Sequence, residues 1–128
     1  LGSITPYVIE CYAGCDYLLL EFNHDLDLLR AGAYPASLKR RVGGGLGHLN
    51  NHQAADFLKR VDHEGLVSVL IAHISEQNNT RDHIENALRA DLGAAFSKHH
   101  YMSQAEGYHW VQLIQSSGPV KNPQVVCA

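Results

Sequence analysis

Asp16-Tyr17-Leu18-Leu19-Leu20-Glu21-Phe22-Asn23-His24-Asp25 is the stretch that decides the fold class. Its uninterrupted apolar run, bounded by Asp16 and Asn23, suits a strand buried on both faces better than a hairpin strand with one wet side. The C-terminal end of that strand delivers Asn23, His24 and Asp25, and in open α/β sheets this is the end where ligands collect. Residues 66–72 repeat the pattern as a second buried strand, which runs into His73-Ile74-Ser75. Both strands thus present a histidine at or just past their C-terminal ends.

Between and around them the spacing predicts helices. Thr5 caps a first one with Pro6 at its opening position and Gly14 near its end. Residues 25–30 and 35–42 read as two short helices, the second carrying Lys39, Arg40 and Arg41 toward its negative end. Asn50 or Asn51 caps the next, whose buried stripe is Ala54, Ala55, Phe57, Leu58 and Val61, with Gly65 as the stop. Thr80 caps another, through about residue 90, with Ile84, Ala87 and Leu88 inward and Gly93 closing it. Residues 108–114 alternate as a last, more exposed strand. The order helix, strand, helices, strand, helix, strand is α/β, with the first two strands paired parallel through a right-handed crossover. Residues 1–115 form the domain, and residues 116–128, with Pro119, Pro123 and little periodicity, read as a flexible tail.

Composition bounds the function. The chain has 128 residues, 45% hydrophobic and 18% charged, which argues for one packed domain and against wholesale disorder. A net charge of −3 without a long Lys/Arg cluster gives no footprint for a polyanion, so nucleic acid is neither indicated nor excluded by charge. Cys11, Cys15 and Cys127 are an odd set, read as buried or free thiols of a reducing cytosol. No basic segment leads into an apolar one at the N-terminus, and no apolar run approaches the ~20 residues that span a bilayer. The expectation is a cytoplasmic protein with no membrane partner.

The sequence holds no HxHxDH run, no CxxC pair, no Walker loop and no GxGxxG fingerprint, so any metal shell built here is partial. Gly43-Gly44-Gly45-Leu46-Gly47 permits close backbone approach and reads as a flexible loop, with a phosphate cradle as the rival reading. His24, His48 and His73 stand in polar, loop-like contexts and look like a site. His52, His63, His83 and the His99-His100 pair read as solvated side chains on helix surfaces or in loops. Lys39, Arg40 and Arg41 read as a charged helix end, with phosphate contact as the alternative.

Asn23-His24-Asp25 after the strand, the segment Ala33-Tyr34-Pro35-Ala36-Ser37-Leu38-Lys39-Arg40-Arg41-Val42, Gly47-His48-Leu49-Asn50-Asn51, and Ala72-His73-Ile74-Ser75-Glu76-Gln77-Asn78-Asn79 occur in that order. Together they resemble the C-terminal half of the YycJ/WalJ-like metallo-β-lactamase-fold hydrolases, over roughly residues 1–112. The resemblance implies half of an αββα sandwich, strands interleaved with helices, in a group that binds two divalent metals and includes DNA exonucleases. It places His73 on the last metal-ligand histidine, and Leu1 to Pro6 on the stretch after the bridging aspartate. The HxHxDH motif, a further ligand histidine and that aspartate would lie upstream. Asn23, His24, Asp25, His48 and Asn50 fall on segments bordering the active site on the substrate side; Asn50 stands where serine is usual. No catalytic residue is assigned.

The resemblance therefore implies a C-terminal portion of a metal-dependent, nuclease-like phosphodiester hydrolase, incomplete and inactive alone. The alternative is a stand-alone, non-catalytic homo-oligomer derived from such a hydrolase. Two divalent metals, zinc or manganese, are implied for the intact fold, with none held tightly by this chain alone. The implied partner is a second copy in a homodimer or the missing N-terminal half, and the resemblance brings in nucleic acid.

Overall fold

A computed structural model of the protein describes residues 1–103 and the backbone of Val125–Cys127. The elements are α1 (Pro6–Tyr12), β1 (Tyr17–Glu21), α2 (Leu26–Ala31), α3 (Ala36–Val42), α4 (Asn51–Val61), β2 (Ser68–Ala72), α5 (Arg81–Leu92), β3 (His99–Tyr101) and β4 (Val125–Cys127). The helix starts obey their capping chemistry. Thr5 accepts from the Val8 amide, Asp25 from Asp27 and Leu28, and Thr80 from His83, while Asn50 and Gln53 form a reciprocal capping box.

β1 lies against β2 in parallel, in register from Tyr17 opposite Ser68 to Glu21 opposite Ala72. β3 extends the sheet beyond β2, and the short β4 backbone runs along the other side of β1, giving the order β3-β2-β1-β4, all parallel. The expected α/β class and the parallel pairing of the first two strands are both present. Each crossover, from β1 to β2 and from β2 to β3, moves the chain the same way across the sheet. Crossovers of one hand then put α4 and α5 on one face, and the two helices pack against each other there.

That face is the core. Leu18, Leu20, Phe22, Val69 and Ile71 alternate toward it and are buried against Phe57, Leu58, Ile84 and Leu88. Each such side chain contributes roughly 1.5–3 kcal/mol on full burial. Tyr12 of α1 closes one end with its ring edge-on to Phe57, centroids 5.7 Å apart. Leu19 and Leu70, which alternate to the opposite face, are only half-buried. The expectation of strands buried on both faces therefore holds on the helix-covered side and not at these two positions.

The sequence predicts His99 and His100 on a helix surface or in a loop, and the structure puts them in β3, because pairing with Val69 to Ile71 makes a strand of a segment with no pattern of its own. The strand expected at residues 108–114 lies outside the described residues, as does the expected tail apart from the three residues of β4. No helix of the described residues is long and apolar enough to cross a membrane.

Candidate functional site

The C-terminal ends of β1 and β2 are tied to the segment that enters α4. The ladder continues with the Phe22 amide donating to Ala72, then passes to Asn23 donating to Leu49, Asn51 donating to the His24 carbonyl and Ser75 donating to the Asn23 carbonyl, at 2.9–3.1 Å. A buried amide cluster locks this junction. Asn79 and Asn51 exchange side-chain hydrogen bonds at 2.8 and 2.9 Å, and Asn79 Nδ2 also donates to the Phe22 carbonyl at 2.8 Å. Asn23 Nδ2 donates to the carbonyl of His73 at 3.0 Å. His73 itself takes φ 53°, in the left-handed region that few residues with a side chain adopt.

Glu21 is the hub. Its Oε2 accepts from Nδ1 of His48 and Nδ1 of His73, each at 3.1 Å, while Oε1 accepts from the Leu49 amide at 3.2 Å and the Leu1 ammonium at 2.8 Å. Burial pushes this carboxyl's pKa up, but the bonds from the Leu1 ammonium, His73, the Leu49 amide and His48 outweigh it and hold the group below the usual Glu range. An ionised carboxylate only accepts, so each imidazole carries its proton on Nδ1 and, when neutral, keeps a bare Nε2. The glutamate side chain is 8% exposed against 38% for His48 and 53% for His73, so the orienting carboxylate is inside and the imidazoles meet solvent. The two rings meet edge-on, centroids 4.7 Å apart.

One ligand atom from each of Glu21, His48 and His73 lies within 4.8 Å of the others. Two imidazoles and a carboxylate are a donor set suited to zinc or manganese, and a carboxylate bonded to the back of a histidine is the usual second partner of a metal-bound imidazole. Among the described residues the arrangement fits one ion, and only in part.

The remaining expected site residues sit around this group in different roles. His24 is fully buried beside it, with Nδ1 3.3 Å from Asn23 Oδ1 and an unpartnered Nε2. Burial and the neighbouring His48 push its pKa down, opposed by Asp25 and Glu21, so it is held neutral. Asp25 commits one carboxylate oxygen to the first amides of α2, and Asn50 commits its amide to the capping box of α4. His48 and His73 line a cleft of about 400 Å³, together with Asn23, Tyr34, Arg41 and Gln77.

The glycine-rich loop before His48 packs closely by its backbone. A Cβ at Gly47 would run into the carbonyls of Arg41 and Val42, and one at Gly2 into the Gly44 carbonyl, while Gly45 is open to space. Only glycine permits the first two approaches.

Among the other histidines, His52 and His83 are anchored on the surface, to Asp91 and to the Thr80 hydroxyl, and His63 spans to the Cys15 carbonyl. His99 departs from the solvated reading. It is mostly enclosed, bonded to Glu85 at 2.9 Å, and stacked on Phe96.

A parallel α/β sheet whose strand ends gather a buried glutamate and two histidines at a polar cleft defines a class: an α/β protein with a candidate metal-binding edge. The chain is 34% identical over 98 residues to Exodeoxyribonuclease WalJ of Streptococcus pneumoniae, in both strain D39 and strain R6, a match covering 70% of this chain and 36% of each relative. It is 36% identical over 81 residues to Exodeoxyribonuclease YycJ of Bacillus anthracis, covering 63% of this chain and 31% of the relative. The chain is YycJ/WalJ-like, the likeness its motifs predict, and spans about a third of the length of these relatives. No protein-family model matches it, and no solved structure matches it.

Proposed function

We propose that the chain is a portion of a metal-dependent phosphodiester hydrolase, nuclease-like in substrate, built on half of a metallo-β-lactamase-type αββα sandwich. The observation that carries this reading is the convergence of His48 and His73 on one buried carboxylate at the edge of a cleft. The relatives named exodeoxyribonucleases support the substrate class.

In this reading Glu21 fixes the tautomer and angle of both imidazoles, and their Nε2 atoms face outward as ligands or proton carriers. His48 and His73 would hold a divalent ion, which would lower the pKa of water and polarise a phosphoryl oxygen. The amide cluster of Asn51 and Asn79 fixes the strand ends that carry these side chains, and a displacement of an ångström at a reacting centre can cost about a hundredfold in rate. Two imidazole donors backed by one orienting carboxylate fall short of a two-ion centre. A chain that brings only these is a poor hydrolase by itself.

A chimera tests the reading: the matched segment of the S. pneumoniae WalJ relative is replaced by residues of this chain. The expected result is a DNA exonuclease that loses activity on His73→Ala, while the isolated chain shows no efficient turnover of single-stranded DNA with manganese or zinc. A folded, metal-loaded chimera that leaves DNA uncut contradicts the proposal.

A further inference from the structure

The cleft beside His48 and His73 carries two side chains that have no polar or ring partner among the described residues. Arg41 and Tyr34 both line it, and neither makes a hydrogen bond, ion pair or ring contact with any described residue. Among the described residues several other cations are engaged, Arg30 with Asp27, Arg60 with Asp56, Lys98 with Asp62 and Arg81 over the Tyr101 ring, while Arg40 and Lys59, like Arg41, make no such contact but do not border this cleft.

A basic residue in the last turn of a helix is favoured by the helix dipole alone, and α3 ends in Lys39, Arg40 and Arg41. Their surroundings separate them. Lys39 donates to the Arg30 carbonyl at 2.6 Å, and Lys39 and Arg40 border a different hollow with Leu26 and Leu29. Leu38, Arg41 and Val42, spaced as neighbours on one helix face, border the cleft. The dipole accounts for a cation at the helix end; it does not account for an unpaired guanidinium and an unpaired phenol ring on one wall of a polar cleft.

We infer that Arg41 and Tyr34 form a nucleotide subsite of this cleft, the guanidinium holding a backbone phosphate of single-stranded DNA and the tyrosine ring stacking on the adjoining base. This rests on the hydrolase reading and names the substrate side of that same site. A guanidinium presents a forked donor set matched to phosphate oxygens, and an aromatic ring accepts any base face. A cleft of about 400 Å³ lies at the small end of ligand pockets, a size that suits one nucleotide unit. Glu76, the acidic side chain among the described lining residues, opposes an anion, and its exposure to solvent limits that opposition.

The test uses the full chain, with a chelator present so that no metal contributes, and two fluorescent strands of equal length: oligothymidylate and an abasic strand of the same backbone. The expected result is that Arg41→Ala weakens both by about tenfold and lowers the salt dependence of log K by about 0.7, the share of one phosphate contact on a single strand. Tyr34→Ala is expected to weaken oligothymidylate by about tenfold and leave the abasic strand within about twofold. Arg41→Lys, which keeps the charge without the fork, falls between wild type and Arg41→Ala. Circular dichroism of each variant separates loss of binding from loss of fold. No binding of either strand by the folded wild type, or equal binding by wild type and a folded Arg41→Ala, overturns the inference. Strand binding that depends on Arg41, together with a folded, metal-loaded chimera that leaves DNA uncut, would keep the subsite and remove the hydrolase reading; a chimera that cuts DNA with Arg41 silent would do the reverse.

Discussion

Glu21 and His73 are separated by 52 positions in the chain, and Nδ1 of the histidine meets Oε2 of the glutamate at 3.1 Å. The sheet register produces this meeting: Glu21 pairs with Ala72 across two parallel strands, so the residue after Ala72 arrives next to the carboxylate. The left-handed turn at His73 and the Asn23 bond to its carbonyl set the direction of the side chain. A second histidine is delivered to the same oxygen by the segment that Leu49 and Asn51 tie to the end of β1.

The buried amide pair underneath this junction is a stability determinant. Asn79→Ala leaves the Phe22 carbonyl and both amide atoms of Asn51 short of partners. A loss of roughly 2–3 kcal/mol is expected, from unsatisfied buried polar groups, and urea unfolding measures it. A change below 0.5 kcal/mol, roughly the scale of a surface substitution, would show that the cluster does not hold the strand ends.

Glycines of the loop before His48 divide by the space around them. Gly47→Ala forces a methyl group into the carbonyls of Arg41 and Val42 and is expected to cost about 2 kcal/mol or more, whereas Gly45→Ala meets nothing and is expected to be neutral or slightly stabilising. Thermal unfolding of the two variants side by side checks the contrast, and equal midpoints would refute it.

The Glu85 cluster gives a pH dependence remote from the cleft. Its carboxylate accepts from His99 at 2.9 Å and Tyr101 at 2.7 Å. Burial raises its pKa, but these bonds and the nearby Arg89 outweigh that and hold it below the usual Glu value. Burial and the same carboxylate push the Tyr101 phenol up. A depressed folded pKa contributes stability that is present above the unfolded Glu value, near 4.3, and is lost as pH falls through the folded one. Glu85→Gln is therefore expected to be less stable than wild type at pH 6, by less than about 1 kcal/mol because solvent screens a carboxylate that is 36% exposed, with the gap closing as the pH falls below 4. A gap independent of pH between 3 and 6 contradicts the assignment.

Much of this is legible in the amino-acid sequence. The two buried runs, their parallel pairing, and the caps at Thr5, Asn50 and Thr80 come from local pattern, and His48 and His73 stand out because polar motifs at strand ends have no packing reason to hold imidazoles. Glu21 is the residue that pattern reading misses, since it reads as the close of an apolar strand. A signal for it exists: a carboxylate inside a run expected to be buried must be paired, and period two places it with Tyr17 and Leu19, away from the core-facing Leu20. β3 is not legible, because three edge residues take their conformation from β2 and not from their own pattern. His99 is hidden with it, and its partner Glu85 lies on the exposed side of an ordinary helix stripe.

The central claim, that Glu21 organises His48 and His73 into a metal-binding group, is tested most directly by titrating zinc into the purified chain by calorimetry at neutral pH, alongside Glu21→Gln, His48→Ala and His73→Ala. The account predicts one site in the wild type, weakened about 10- to 100-fold when the orienting carboxylate is neutralised and by at least as much when either imidazole is removed, with the fold retained by circular dichroism. Zinc binding of unchanged affinity and stoichiometry in all three variants would contradict it.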